Sequence, residues 1–99
     1  VEVKVASVAA DSLGARNVGP LVYAVCKGTV DHVALVPDEA ITQAQVTLWR
    51  DFRLAVEPGG AAALGALLSG AYKPKPGERL GVLVCGANVD LGALREIVA

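Results

Sequence analysis

Ninety-nine residues leave room for one small domain, of a size that buries roughly 60 to 70 percent of the surface its unfolded chain exposes. Apolar residues make up 54 percent and aromatics only 4 percent, so a core must come from valine, leucine, isoleucine and alanine. A net charge of −1 without a basic cluster lacks the footprint of a nucleic-acid-binding protein, and charges and prolines interrupt every apolar run short of a membrane span. Cys26 and Cys85 follow neither a metal spacing nor a disulfide framework, and a single histidine excludes a histidine-rich metal site. The start, Val1-Glu-Val-Lys4, has no signal-peptide pattern. The expectation is a cytoplasmic protein, with no nucleic-acid or membrane partner, that keeps part of its apolar surface for another domain, subunit or ligand. Opening at Val1 already in an alternating pattern, the chain reads as a piece of something longer, although processing would give the same start.

Val1, Val3 and Val5 alternate with Glu2, Lys4 and Ala6, the pattern of a strand with one buried face. Small residues then lead to Asp11-Ser12-Leu13-Gly14, which reads as a loop. Gly19-Pro20 opens a short helix that carries Cys26 as a core residue and stops near Gly28. His32 to Val36 is a second short apolar strand, with His32 itself structural or exposed. Pro37-Asp38-Glu39 begins a longer helix, its acids favourably placed against the dipole of the first turn. Ile41, Ala44, Leu48 and Phe52 share one face of it at helical spacing, with Thr42, Gln43 and Arg50 on the wet side. Pro58 starts a helix that is apolar all round, ends at Ser69-Gly70, and is expected to be buried on more than one side. Lys73-Pro-Lys-Pro-Gly77 is a polar connector. Leu80 to Val84 is a third strand, stopped at Cys85-Gly86, and a last helix runs from Leu91 to Val98.

This alternation predicts a single α/β unit over residues 1–99, three-layered, with a short, mostly parallel sheet and helices on its faces. Strand, small-residue turn and helix over Leu80 to Leu94 is the geometry that places a ligand at the carboxyl end of a parallel sheet. Taken alone, Cys85 at that end reads as a small core residue. Glu57 reads as an acid favoured by a helix N-terminus, and Gly59-Gly60 as tight packing or close approach to a ligand.

Three segments, in this order and spacing, resemble the carboxyl-terminal part of pyridoxal-phosphate-dependent threonine and serine dehydratases of fold type II, the tryptophan synthase β family. They are Ala10-Asp-Ser-Leu-Gly-Ala15 with Val18-Gly19, then Val56-Glu-Pro-Gly-Gly-Ala-Ala62, then Val82-Leu-Val-Cys-Gly-Ala-Asn-Val-Asp90. The resemblance implies that the chain is part of a larger fold type II domain whose cofactor is pyridoxal 5'-phosphate. It makes Cys85 the residue that faces the pyridine nitrogen, with Gly86 and Asn88 in the turn beside the ring and Glu57 and Gly59 lining the cofactor pocket. A thiol is mainly a neutral, weak donor near neutral pH. Such a partner leaves the ring nitrogen unprotonated and favours prompt loss of a β-hydroxyl. The carbonyls of Leu13 and Ala15 match a loop that binds a monovalent cation in some relatives, while the residues alone read as an ordinary turn.

The resemblance also defines what this sequence lacks. The family's Schiff-base lysine lies in a serine-x-lysine motif, and none of Lys4, Lys27, Lys73 or Lys75 has that setting. The glycine-rich phosphate loop is absent as well, so no catalytic residue is assigned here. The implied parent is a lyase that removes water and ammonia from L-threonine or L-serine to give a 2-oxo acid. Its partners would be the missing amino-terminal part of the same enzyme, a β-hydroxy amino acid and other subunits of a homo-oligomer. Relatives that racemise serine or act on hydroxyaspartate share the motifs, and a non-catalytic α/β binding or assembly module is the reading from another class.

Overall fold

Helix formation in the middle of the chain follows directly from the sequence pattern. A computed structural model describes all residues, Val1–Ala99. Five helices are present: α1 (Ala10–Leu13), α2 (Pro20–Thr29), α3 (Asp38–Phe52), α4 (Pro58–Leu68) and α5 (Leu91–Val98). In α3, Ile41, Ala44, Gln45 and Leu48 recur at three- and four-residue spacing and are all buried, which sets one stripe of the helix against the core. Asp38 and Glu39 occupy its first turn and Arg50 its last, each with the sign that suits the helix dipole. The helix ends where Arg53 takes a left-handed conformation (φ 57°), with its guanidinium 5.9 Å from the centre of the Trp49 ring.

The core is the seam between α3 and α4. Ala9, Ile41, Ala44, Leu48, Val56 and Ala61 form one buried cluster, with Val36, Ala62, Leu64 and Val84 packed against it. Ala44 and Ala61 are wholly inaccessible, and these small side chains, with Gly65, where an added Cβ would stand 3.1 Å from the Ala40 carbonyl oxygen, let the two backbones approach closely. Burying Ile41 and Leu48 contributes about 1.5 to 3 kcal/mol each. α5 packs its one buried residue, Leu94, on the α3 side of this pair.

The expected α/β architecture is not what these residues form. There is no strand anywhere in the chain, so the predicted parallel sheet and three-layer arrangement are corrected to a helical assembly with irregular connections. Of the segments expected to pair, 1–5 makes one backbone hydrogen bond, from Val3 N–H to the Arg16 carbonyl (2.9 Å), and 32–36 and 80–84 make none. A strand exists only through a ladder to a neighbour about 4.8 Å away, and none of these segments finds such a neighbour in the chain. Val36 and Val84 are packed against the core, but other apolar side chains of these segments are left outside: Leu35 is 90 percent and Leu83 75 percent exposed.

Other expectations are corrected by the same shortage of covering layers. α2 has no buried residue; Cys26, expected in a core, is half-exposed, and Leu21 is 77 percent exposed. Phe52 lies at the end of the α3 stripe but is 65 percent exposed. α4 buries one face only, through Gly60, Ala61 and Gly65, while Ala63 and Leu68 face outward. Asp11, Ser12 and Leu13, expected in a loop, lie in the single turn of α1, with Gly14 as its C-cap. Only 11 of the 99 residues are buried, and the radius of gyration of 14.5 Å exceeds the ~13 Å of a packed domain of this length. The molecule is an open slab, 19 Å in its thinnest dimension.

Candidate functional site

α4 begins at Glu57, whose extended backbone (φ −67°, ψ 159°) turns into the helix through Pro58. Three contacts tie that start to segments far away in sequence. The Glu57 N–H donates to the Gly86 carbonyl at 2.7 Å. Gly60, in the first turn, lies so close to Cys85 that a Cβ there would overlap the Cys85 carbonyl oxygen and stand 2.5 Å from its carbon. A Cβ on Gly59 would fall 3.1 Å from the Ser12 Cβ and 3.3 Å from the Leu13 Cγ. Residues from all three motif segments therefore meet at one helix end.

Gly86 has φ +77°, a conformation that side chains other than glycine adopt poorly, and the Glu57 carboxylate lies over it, with Oε1 2.6 Å from where a Cβ would be. Beyond Gly86 the chain runs through Asn88 to Asp90, which caps α5: its Oδ1 accepts from the Gly92 N–H at 2.8 Å and the Ala93 N–H at 3.1 Å. The turn after Cys85 is thus held at both ends, by Glu57 and by the cap.

A groove of about 570 Å³ opens beside this junction, between the 8–12 segment, α3 and α5. That volume lies in the range of small-ligand sites, about 300 to 1,000 Å³. Asp11, Ser12, Glu57 and Asn88 contribute polar groups to its wall, and Val8, Ala93, Leu94 and Ile97 apolar ones. Of the residues singled out in the sequence, Glu57 and Asn88 line the groove, whereas Cys85, Gly86 and Gly59 do not. Cys85 is exposed beside it, a free thiol. Leu13 stands near Gly59, but Ala15 is exposed and apart. The carbonyls of Leu13 and Ala15 accept no backbone hydrogen bond, and no group of three or more histidine, cysteine, aspartate or glutamate side chains is placed to hold a metal ion. Lys4, Lys27, Lys73 and Lys75 are all exposed, and none reaches the groove.

Two supporting residues escaped the sequence reading. Gln45 is 5 percent exposed and its Nε2 donates to the Val56 carbonyl at 2.8 Å, fixing the residue before Glu57. The signal was available, since Gln45 stands four residues after Ile41 on the apolar stripe, where a polar side chain needs a partner. Asp38 accepts from the Ser7 hydroxyl at 2.7 Å and the Val8 N–H at 3.1 Å, which pins the groove's first wall to the start of α3. Nothing in the local sequence announces that pairing across 31 positions.

The family model described as "Pyridoxal-phosphate dependent enzyme" matches residues 1–86. The chain belongs to the pyridoxal-phosphate-dependent enzyme family. It is 38 percent identical to a phenylserine dehydratase of Ralstonia pickettii over 81 residues, which is 82 percent of this chain and 25 percent of that protein. A serine racemase of Oryza sativa subsp. indica is 38 percent identical over 82 residues, 79 percent of this chain and 24 percent of the relative. The biosynthetic L-threonine dehydratase of Escherichia coli is 32 percent identical over 89 residues, 89 percent of this chain and 17 percent of the relative. The chain thus spans about a quarter or less of the length of these relatives. No solved structure gives a significant match.

Family membership makes pyridoxal phosphate the cofactor to be fitted. The residues present are compatible with it: two bare glycines, Gly60 and Gly86, leave the backbone around Cys85 where a Cβ would fill space. The thiol of Cys85 is accessible, and a carboxylate and an amide line the adjoining groove. These are the elements of one side of a site for a planar ring. No helix of the chain is long and apolar enough to cross a membrane.

Proposed function

We propose that this chain forms one wall of the cofactor site of a longer pyridoxal-phosphate-dependent lyase, which removes water and ammonia from L-threonine or L-serine and releases a 2-oxo acid. The observation that carries the reading is the convergence of Glu57, Gly60, Cys85 and Gly86 at the start of α4. The names of the relatives, two dehydratases and a serine racemase, support the β-hydroxy amino acid as substrate class.

When bound, the cofactor supplies the electron sink for the charge released at the substrate α-carbon. In this reading Cys85 would present its thiol, a weak donor, to the ring nitrogen in place of a carboxylate. Gly86 and Asn88 form the turn beside the ring. Glu57 and Gly59 close the pocket at the start of α4. The base that moves the substrate proton comes from elsewhere in the enzyme, since no lysine of this chain reaches the groove. A monovalent cation held by the Leu13 and Ala15 carbonyls belongs to the same proposal; oxygen ligands suit a hard cation.

The test is the full-length protein containing this segment, with the visible absorbance of bound cofactor and the release of ammonia and 2-oxo acid as readouts. Release from L-threonine or L-serine is expected. If no β-hydroxy amino acid yields oxo acid, the lyase reading is wrong. A racemase is the second reading, favoured by a serine racemase at the same 38 percent identity as the phenylserine dehydratase; chiral analysis of serine after incubation decides between them. The exposed apolar faces of α2 and of the 80–84 segment speak for cover by the rest of the enzyme and by other subunits, and against a free-standing binding module. Light scattering of the full-length protein is expected to give an oligomer.

A further inference from the structure

We infer that Gly60 is a positioning residue for Cys85, setting how far the thiol-bearing backbone stands from the first turn of α4. This rests on the proposed placement of Cys85 beside the cofactor's ring nitrogen. Gly60 is buried, and its Cα lies against the peptide of a residue 25 positions on. A single added methyl would collide with the Cys85 carbonyl, whose carbon would be 2.5 Å away, and with the Val56 Cγ1 at 2.9 Å. Real side-chain carbons keep at least 3.0 Å from such neighbours, and the obstacle is backbone, which cannot rotate away. One side is fixed by α4 itself, because the Gly60 N–H donates to the Glu57 carbonyl at 3.0 Å. Cys85 must give. Because the Glu57 N–H also holds the Gly86 carbonyl, the shift falls on the Cys85 peptide, on the side away from that anchor, where residues 80–85 make no backbone hydrogen bond. A displacement on the order of 1 Å at a reacting centre lowers rates by about 10²-fold. Gly65, in the same helix, provides the comparison, since the nearest neighbours of a Cβ there are the Ala40 carbonyl at 3.1 Å and a Val36 methyl at 3.2 Å, neither of them part of the Cys85 turn.

The experiment compares Gly60→Ala, Gly65→Ala and Cys85→Ala in the full-length protein. The readouts are the pH dependence of the bound cofactor's absorbance, the iodoacetamide alkylation rate of the peptide bearing Cys85 in the cofactor-free form, and kcat/KM. Gly60→Ala is expected to shift the absorbance profile in the direction of Cys85→Ala, to change the alkylation rate severalfold, and to lower kcat/KM by about 10²-fold, whereas Gly65→Ala leaves the absorbance profile and the alkylation rate unchanged. If Cys85→Ala leaves the absorbance profile unaltered, the placement of Cys85 beside the ring is what fails. If Cys85→Ala alters it and soluble Gly60→Ala does not, the positioning role is overturned. Should Gly60→Ala be insoluble, the double variant Val56→Ala, Gly60→Ala removes the methyl at 2.9 Å and carries the same test. Loss of both while Gly65→Ala folds would make Gly60 a folding residue only.

Discussion

Replacing Gln45 by leucine keeps the side chain's bulk and removes its amide. In the native structure that amide donates to the Val56 carbonyl at 2.8 Å from a position only 5 percent exposed. The variant loses a net contribution of about 1 kcal/mol for the bond and leaves a buried carbonyl without a donor, so the total is about 2 kcal/mol. At about 1.4 kcal/mol per factor of ten, local opening at Val56–Glu57 becomes roughly 30 times more frequent. The strain passes to the next residue, whose N–H holds Gly86. Amide hydrogen exchange of Glu57 in the full-length protein is the assay, because it reads local opening without needing a single global transition. Protection of Glu57 should fall by about that factor, with α5 amides less affected. Unchanged protection at Glu57 would mean that Gln45 does not fix the start of α4, and the account of the site's scaffold would have to be withdrawn.

Asp90→Ala removes an N-cap that serves two amides and should cost about 1 kcal/mol, read as loss of exchange protection in the first turn of α5; intact protection would show that the cap is dispensable. Leu48→Ala, at a position 3 percent exposed in the core cluster, should destabilise by about 2 to 5 kcal/mol, and a change below 1 kcal/mol in denaturant unfolding would show that the α3–α4 seam collapses around the loss. The Tyr72 hydroxyl donates to Glu78 at 2.5 Å; this bond raises the phenol above its ordinary 10.0, and with the Lys75 N–H it lowers the carboxyl below its ordinary 4.5. The contribution of Glu78 is therefore complete above its ordinary value and lost as pH falls through the lowered one, and that of Tyr72 is lost as pH rises through the raised one. Glu78→Gln should bring the titration of the Tyr72 phenol, followed through the NMR signals of that ring, down toward its ordinary range, and an unmoved titration would refute the pairing.

The four longer helices were legible because their signals are local, whereas the single turn of α1 read as a loop. Pro20, Pro58 and Asp90 mark starts, and the Ile41–Ala44–Leu48 spacing marks a buried stripe, each within one or two turns of chain. The motif residues were legible one by one, through the resemblance, but their meeting was not. That Gly60 fits under the Cys85 carbonyl, or that Gln45 braces Val56, depends on contacts between segments whose chemistry carries no mark of the partner.

The alternation of Val1, Val3 and Val5 and the apolar runs 32–36 and 80–84 state a preference for pairing, while the prolines and the apolar stripe of α3 specified helix starts and one buried face. Whether a preference becomes a strand is decided by a ladder of hydrogen bonds to a second backbone, and the folded chain offers a single bond to the first segment, from Val3 to Arg16, and none to the other two. Burial was likewise a tertiary matter: Cys26 and Phe52 have the residue types of a core but no layer over them, while Gly60 and Ala61 are buried because α4 meets both α3 and the Cys85 turn.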